Sequence, residues 1–173
     1  MKDAMPRISI PKRAWAPPGM RPHVPKQVVR QSSYVYAAVA PGEGLMTSLV
    51  LPFSNIAMMN IFLAHVAEVF ADYFIVMQTD QAGWHRAKEL HIPENIRLIF
   101  QPTYSPEVNP VEHVWEEIRE KYLHNLVFPS LDELMERLCQ ALSELTGDKD
   151  RLRSMTFFPH GSRVHHHSKW VLG

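Results

Sequence analysis

The sequence predicts a mixed α/β layer fold, a sheet with some parallel pairing and helices packed against it. Three observations predict it. Two β-rich runs flank the Gly-containing loop PGEG, as in a hairpin. Two short apolar runs, YFIVMQTD (73–80) and IRLIFQP (96–102), have the character of buried strands. Amphipathic helical patterns fill much of the remainder, so strands and helices alternate. A chain of 173 residues is long enough to bury a core as one domain.

Taken in order, residues 1–30 hold Pro6, Pro11, Pro17, Pro18, Pro22 and Pro25, which exclude a long helix and suggest an extended, turning arm. SSYVYAAVAPGEGLMTSLVLP then supplies the hairpin, with strands at about 33–40 and 45–51. Residues 54–71 read as a helix capped by Ser54 or Asn55, with Ile56, Met59, Phe62, Leu63, Val66 and Phe70 at helical spacing on the core side. A strand at 73–80, a helical turn around 84–91 and a strand at 96–102 follow. Two helices close the domain, at about 110–124 and 130–146, the second opened by Ser130 with Glu133 as a capping box. The domain thus spans 31–157, and residues 158–173 form a loosely ordered tail.

Composition narrows the function classes. Hydrophobic content of 46% and charged content of 21% suit an ordinary soluble globular protein. Net charge is zero, yet Lys2, Arg7, Lys12, Arg13, Arg21, Lys26 and Arg30 face the single acid Asp3 within residues 1–30. That basic arm points to a polyanion partner. The one cysteine, Cys139, excludes an intrachain disulfide, suits a reducing compartment and reads as a small buried helix residue. No apolar run approaches the ~20 residues of a membrane span, and the first 25 residues do not resemble a signal peptide. The expected location is the cytoplasm of a bacterial-type cell.

The stretch QPTYSPEVNPVEHVW (101–115) sets a proline-rigid entry before a helix and places Glu112 in its first turn. Asn109 reads as the N-cap, Pro110 as N1 and Glu112 as N3, where a carboxylate can return to the cap and favour the helix dipole. Upstream, Asp80 stands at the C-terminal end of a buried strand, where α/β sheets place functional groups, though Asp also begins turns there. Two carboxylates brought close repel unless a divalent cation lies between them. Hard oxygen ligands suit Mg²⁺ or Mn²⁺, and two such ions can serve phosphoryl transfer. Glu112 is therefore either a cap or a catalyst, and the pairing with Asp80 favours the second.

TDQAGWH (79–85) followed by QPTYSPEVNPVEHVW closely resembles the DDE transposases of the IS630 family, related to Tc1/mariner elements. KRAWAPPGMRP, the LVLP of the hairpin and NLVFPSLDEL extend the resemblance over roughly residues 7–157. It implies an RNase H-like fold and Mg²⁺- or Mn²⁺-dependent DNA strand cleavage and joining at transposon ends. Asp80 would be the second catalytic acid and metal ligand, and Glu112 the third. The 31 residues between them are slightly fewer than the family's usual spacing, and Thr103 replaces a proline common in relatives. Trp84 and His85 match the AGWH segment; Tyr104, Ser105 and Asn109 read as scaffold and Trp115 as core.

The family's first acid is expected at about Met1 or earlier; Asp3 is offset by two and lacks the family's following Glu and Arg. The first, central strand should therefore be incomplete, and the helix-turn-helix region of relatives is not in this sequence. A downstream frame joined by frameshifting, a remnant, and a coding region read from too late a start all fit. Two functions follow: a transposase catalytic part, active when completed, or an inactive fragment that binds DNA or intact transposase, as a homodimer or with the full-length protein. Arg163 and Lys169 in the tail suit DNA under either. His165, His166 and His167 do not form a structural zinc site, which needs ligands on a fixed frame.

Overall fold

The computed structural model describes residues 2–8, 16–21, 23, 26–79, 89–101 and 109–157, and the backbone of 170–172. Its strands are β1 (Lys2–Ile8), β2 (Val28–Ala40), β3 (Leu45–Leu51), β4 (Ile75–Thr79), β5 (Ile96–Phe100) and β6 (Trp170–Leu172). Its helices are α1 (Ile56–Val69), α2 (Val111–Glu117), which continues as a π-helical segment Ile118–Leu123, α3 (Leu131–Gly147) and α4 (Lys149–Thr156). The six strands form one mixed sheet. β1 and β3 are both antiparallel to β2, and their partners overlap at residues 34–36, so they lie on opposite edges of it. β4 and β5 are parallel.

β2 organises the molecule because its side chains are needed on both faces. Val35, Ala37 and Val39 pack toward α2, the π-helical segment, α3 and α4, with Met5 of β1 beside them. Tyr36, Ala38 and Ala40 pack toward α1 and the β4 residues Ile75 and Met77. The two-residue period of a strand thus divides one apolar run between two cores, giving helices on both sides of the sheet. Trp115, Leu138 and Phe62 are among the largest fully buried side chains.

Local chemistry explains the element ends. Asn55 caps α1, its side chain accepting from Met58 N at 2.9 Å, and Ser130 caps α3 by accepting from Glu133 N at 3.1 Å. Asn125, at φ 55°, takes the left-handed conformation just past the π-helical segment, one of few residue types that does so at little cost. Gly44, at φ 61° in the PGEG turn, cannot be replaced freely: an added Cβ would lie 2.3 Å from the Lys149 carbonyl oxygen at the start of α4. Arg153 of α4 also donates to the Gly42 carbonyl at 3.1 Å, so α4 is seated on the hairpin tip.

Several expectations change. Part of the stretch read as an arm, Lys2–Ile8, is β1, because Met5 and Arg7 are buried on one face while Ala4, Pro6 and Ile8 are exposed. α4 follows α3 after one residue, with Asp148 capping it through Arg151 N at 3.0 Å, a signal the sequence reading did not use. Cys139 is exposed rather than buried: the stripe of α3 runs through Leu134, Leu138, Ala141, Leu142 and Leu145, and Cys139 lies to one side of it. The helical turn expected around 84–91 falls mostly outside the described residues.

The first strand, expected to be incomplete, has its place beside β2 divided. β1 pairs Lys2 with Tyr36, and β6 pairs Leu172 with Val39. Both run antiparallel to β2, and β3 takes the other edge, so β1 and β6 lie end to end along one edge. β6 is also parallel to β4, through Val76, Met77 and Gln78.

Candidate active site

Each expected carboxylate belongs to an element end. β4 finishes at Thr79, whose carbonyl accepts from Gln101 N at 2.8 Å, so pairing with the chain after β5 persists to the last residue of the strand. The sequence places Asp80 next, and Asp80 lies outside the described residues, as do Trp84, His85, Thr103, Tyr104 and Ser105. Thr79 is fully buried, and among the described residues its hydroxyl has no hydrogen-bond partner.

Glu112 is described, and its surroundings follow from Asn109. That side chain is completely buried; its Oδ1 accepts from Val111 N at 3.3 Å, and its carbonyl accepts from Glu112 N at 3.0 Å. Its Nδ2 donates to Glu112 Oε1 at 3.4 Å. Pro110, at φ −60°, is already in helical conformation. Asn109 is thus the working cap and Glu112 is three residues on, as the sequence reading placed them. Val111, Val114, Trp115 and Ile118 then fix α2 by burial. The carboxylate is carried by a helix start that has little freedom to turn.

Strand alternation divides the side chains of β4 between the two faces of the sheet. Ile75 and Met77 pack on the α1 side, so Val76 and Gln78 lie on the face that α2 covers.

Asp3 shares the face of Met5 and forms an ion pair with Arg119, two turns beyond Glu112 on the same continuous helix. Arg119 was not singled out from the sequence, though it stands seven residues after Glu112 and so on the same side of an ideal helix. Nearby, Glu117 takes Lys121 Nζ at 2.7 Å and the Arg151 guanidinium. Burial raises the Glu117 pKa, but the hydrogen bonds from Lys121 and Arg151 outweigh it and hold the carboxyl below its ordinary value. The same contact with Glu117 raises Arg151. Tyr122 joins this network, donating to Glu144 Oε2 at 2.9 Å and accepting from Arg151 Nη1 at 3.3 Å. It ties the π-helical segment to α3 and α4. Among the described residues, no three His, Cys, Asp or Glu side chains gather at one point, and no helix is long and apolar enough to cross a membrane.

The sequence profile of a known family, described as DDE superfamily endonuclease, matches residues 6–135. The chain belongs to that family. The matched segment runs from β1 into α3 and contains Asp80, Asn109 and Glu112. An uncharacterized protein of Sinorhizobium fredii, y4pE/y4sA, is 36% identical over 124 residues, 71% of this DDE chain and 92% of that protein. Solved structures with a similar fold include a Mos1 transposase paired-end complex with left transposon end, at TM-score 0.60 and 13% identity over 89% of this chain. A Mos1 mariner paired-end complex with Mn has TM-score 0.61 at 14% identity over 91% of this chain. The DDE chain covers 53% and 55% of those two chains, about half their length. The RNase H-like fold is therefore established, with α1 on one face of the mixed sheet and α2–α4 on the other.

Proposed function

We propose that this DDE chain is the catalytic part of a transposase of the IS630 type, cutting and joining DNA strands at transposon ends when its acidic site is complete. The observation that supports this reading is the seat of Glu112: a buried Asn109 cap and a buried helix face fix the carboxylate at the start of α2. Two carboxylates are a donor set for a hard divalent cation, Mg²⁺ or Mn²⁺, and Asp80 and Glu112 would hold it. The metal would supply activation of the attacking oxygen and charge stabilisation at the leaving one. The contribution of the chain is position: Asn109 keeps the Glu112 carboxylate oriented and Trp115 anchors the helix that bears it. The basic residues of 16–30 would meet DNA phosphates, and the active assembly would include a second copy or a full-length transposase. The cytoplasm, on the nucleoid, is the corresponding place.

The ion pair between Asp3 and Arg119 favours a second reading. The acid nearest the place of the first catalytic residue is already neutralised, so a chain left to itself would bind DNA or intact transposase without cutting.

Calorimetric titration of Mn²⁺ and Mg²⁺ into the folded protein tests the site. Binding that is lost in both Asp80→Asn and Glu112→Gln is the expected result. Binding unchanged by either substitution would refute the assignment. Nicking of plasmid DNA by the purified chain, dependent on Mg²⁺ and on Glu112, would eliminate the second reading.

A further inference from the structure

We propose that the outer edge of β3 is a strand-addition site for an extended, apolar peptide segment ended by Lys or Arg and supplied by another protein. β3 and β5 are the outer strands of the sheet, and among the described residues no strand pairs with the outer side of β3. An outer strand presents a row of unpaired amides and carbonyls, and proteins blunt such edges with charge, proline or a bulge. β5 is blunted in this way, being five residues long with the exposed Arg97 among them. β3 has none of these devices. Its seven residues, LMTSLVL, hold no charge and no proline, and they pair with β2 from Leu45 to Leu51 without a shift in register.

The helices on the two faces wall this edge. His65 of α1 meets Thr47 of β3 at 2.7 Å, whereas Asn60 reaches Glu89 and His91, where the chain approaches β5. The flank of α1 that bears His65 therefore faces β3. Met58 and Val69 fall on that flank by helical spacing, and Val69 is 50% exposed. On the other face, Arg137 of α3 donates to the Tyr122 carbonyl at 3.2 Å, so the flank one residue before the buried stripe faces the π-helical segment. Met135 and Cys139 come one residue after Leu134 and Leu138 of that stripe, on the opposite flank, toward the open side of β3. Cys139 is exposed there. A strand laid along β3 alternates its side chains between these two walls.

Charge selects the occupant. β3, α1 and α3 together hold Glu68, Asp132, Glu133, Glu136 and Glu144 against a single Lys or Arg, and that residue, Arg137, is turned to the π-helical segment. At the Leu45 end, Lys149 and Arg153 stand with Glu43, Asp148 and Asp150, which leaves that end acidic as well. Such a rim repels a polyanion and suits a strand that is apolar along its length and basic at its ends. Main-chain hydrogen bonds to β3 give the strand its affinity, and the walls give it its preference. The proposal is independent of the metal site, since it concerns backbone pairing at the far side of the sheet from β4 and β5.

The test is fluorescence anisotropy on the full-length protein with labelled peptides of alternating valine and threonine, as long as β3 and ended by lysines. Saturable binding is expected. A copy N-methylated at two successive central amides, one of which must point at β3, should bind more weakly by on the order of tenfold. A copy ended by glutamates should also bind more weakly. No saturable binding, or equal binding of the N-methylated copy, overturns strand addition; equal binding of the glutamate copy overturns the basic occupant. A cysteine moved along the peptide gives a second reading on unaltered protein: disulfide capture of Cys139 is expected at alternate positions, and uniform capture or none overturns the site. Val69→Lys, at an exposed position, should weaken the lysine-ended peptide. A wild-type dimer in sedimentation that Val69→Lys dissociates would give the edge to a second copy and overturn the occupant.

Discussion

At residue scale the proposed site is tested by separating two roles open to Glu112, helix cap and metal ligand. Asn109 makes the separation possible because it, rather than Glu112, satisfies the Val111 amide. Glu112→Gln keeps a hydrogen-bond acceptor near Asn109 Nδ2 and removes the charge. The expected outcome is an unfolding free energy from urea titration within about 0.5 kcal/mol of wild type, with metal affinity lost. Asn109→Ala removes the cap and leaves buried groups short of a partner, and should cost about 1–2 kcal/mol in the same urea titration. If Glu112→Gln cost as much stability as Asn109→Ala, the carboxylate would be acting as a structural cap. Residue identity made Asn109, Pro110 and Glu112 legible in the sequence, because capping chemistry is local. The Asp3–Arg119 pair was not legible, since it joins positions 116 residues apart through the packing of a helix on a sheet.

At element scale, periodicity found α1, β4, β5, α3 and the second hairpin strand within about two residues of their ends, while β2 begins at Val28, ahead of the expected start at about 33. Each has a strong local signal: a Gly turn, an apolar run or a capping box. β1 and β6 escaped because their pairing is non-local. Nothing in KDAMPRI or WVL alone says that β2 and β4 lie beside them. The π-helical segment was read as ordinary helix, as its buried Ile118, Tyr122 and Leu123 continue an apolar pattern. The Glu117 network fixes this segment to α4, and its pH dependence has a definite sign. Because the Glu117 pKa is depressed in the folded state, its contribution is fully present above its ordinary value of 4.5 and is lost as pH falls through the folded value. Glu117→Gln should therefore lower stability at pH 7, by about 1–3 kcal/mol for a part-buried charged hydrogen-bond pair. The gap to wild type should narrow below pH 4.5, as urea titrations across pH 2.5–7 would show. A gap independent of pH would mean that the packing of the side chain, not its charge, was lost.

At the scale of the whole molecule the informative quantity is how charge is distributed, because net charge is zero. Residues 1–30 hold seven bases and one acid, leaving the remaining chain with 17 acids and 11 bases. Arg21, His23, Lys26 and Arg30 are exposed near the start of β2, at the far end from the tip of the β2–β3 hairpin. An acidic body with a basic edge should take a polyanion in one orientation, since the body repels the phosphates that the edge attracts. Binding to duplex DNA should then weaken steeply with salt, as counterions displaced by the protein return to the phosphates. Each lost phosphate contact lowers the slope of log K against log salt by about 0.9, so replacing Arg21, Lys26 and Arg30 together by Gln should flatten it by up to about 2.7. Fluorescence anisotropy with a labelled duplex between 50 and 300 mM salt measures that slope. An unchanged slope in the triple variant would move the DNA path off this edge. A flattened slope with Mn²⁺ binding intact would show that the basic edge and the proposed acidic site are energetically separate, because one is made of exposed side chains and the other is carried by a buried helix start.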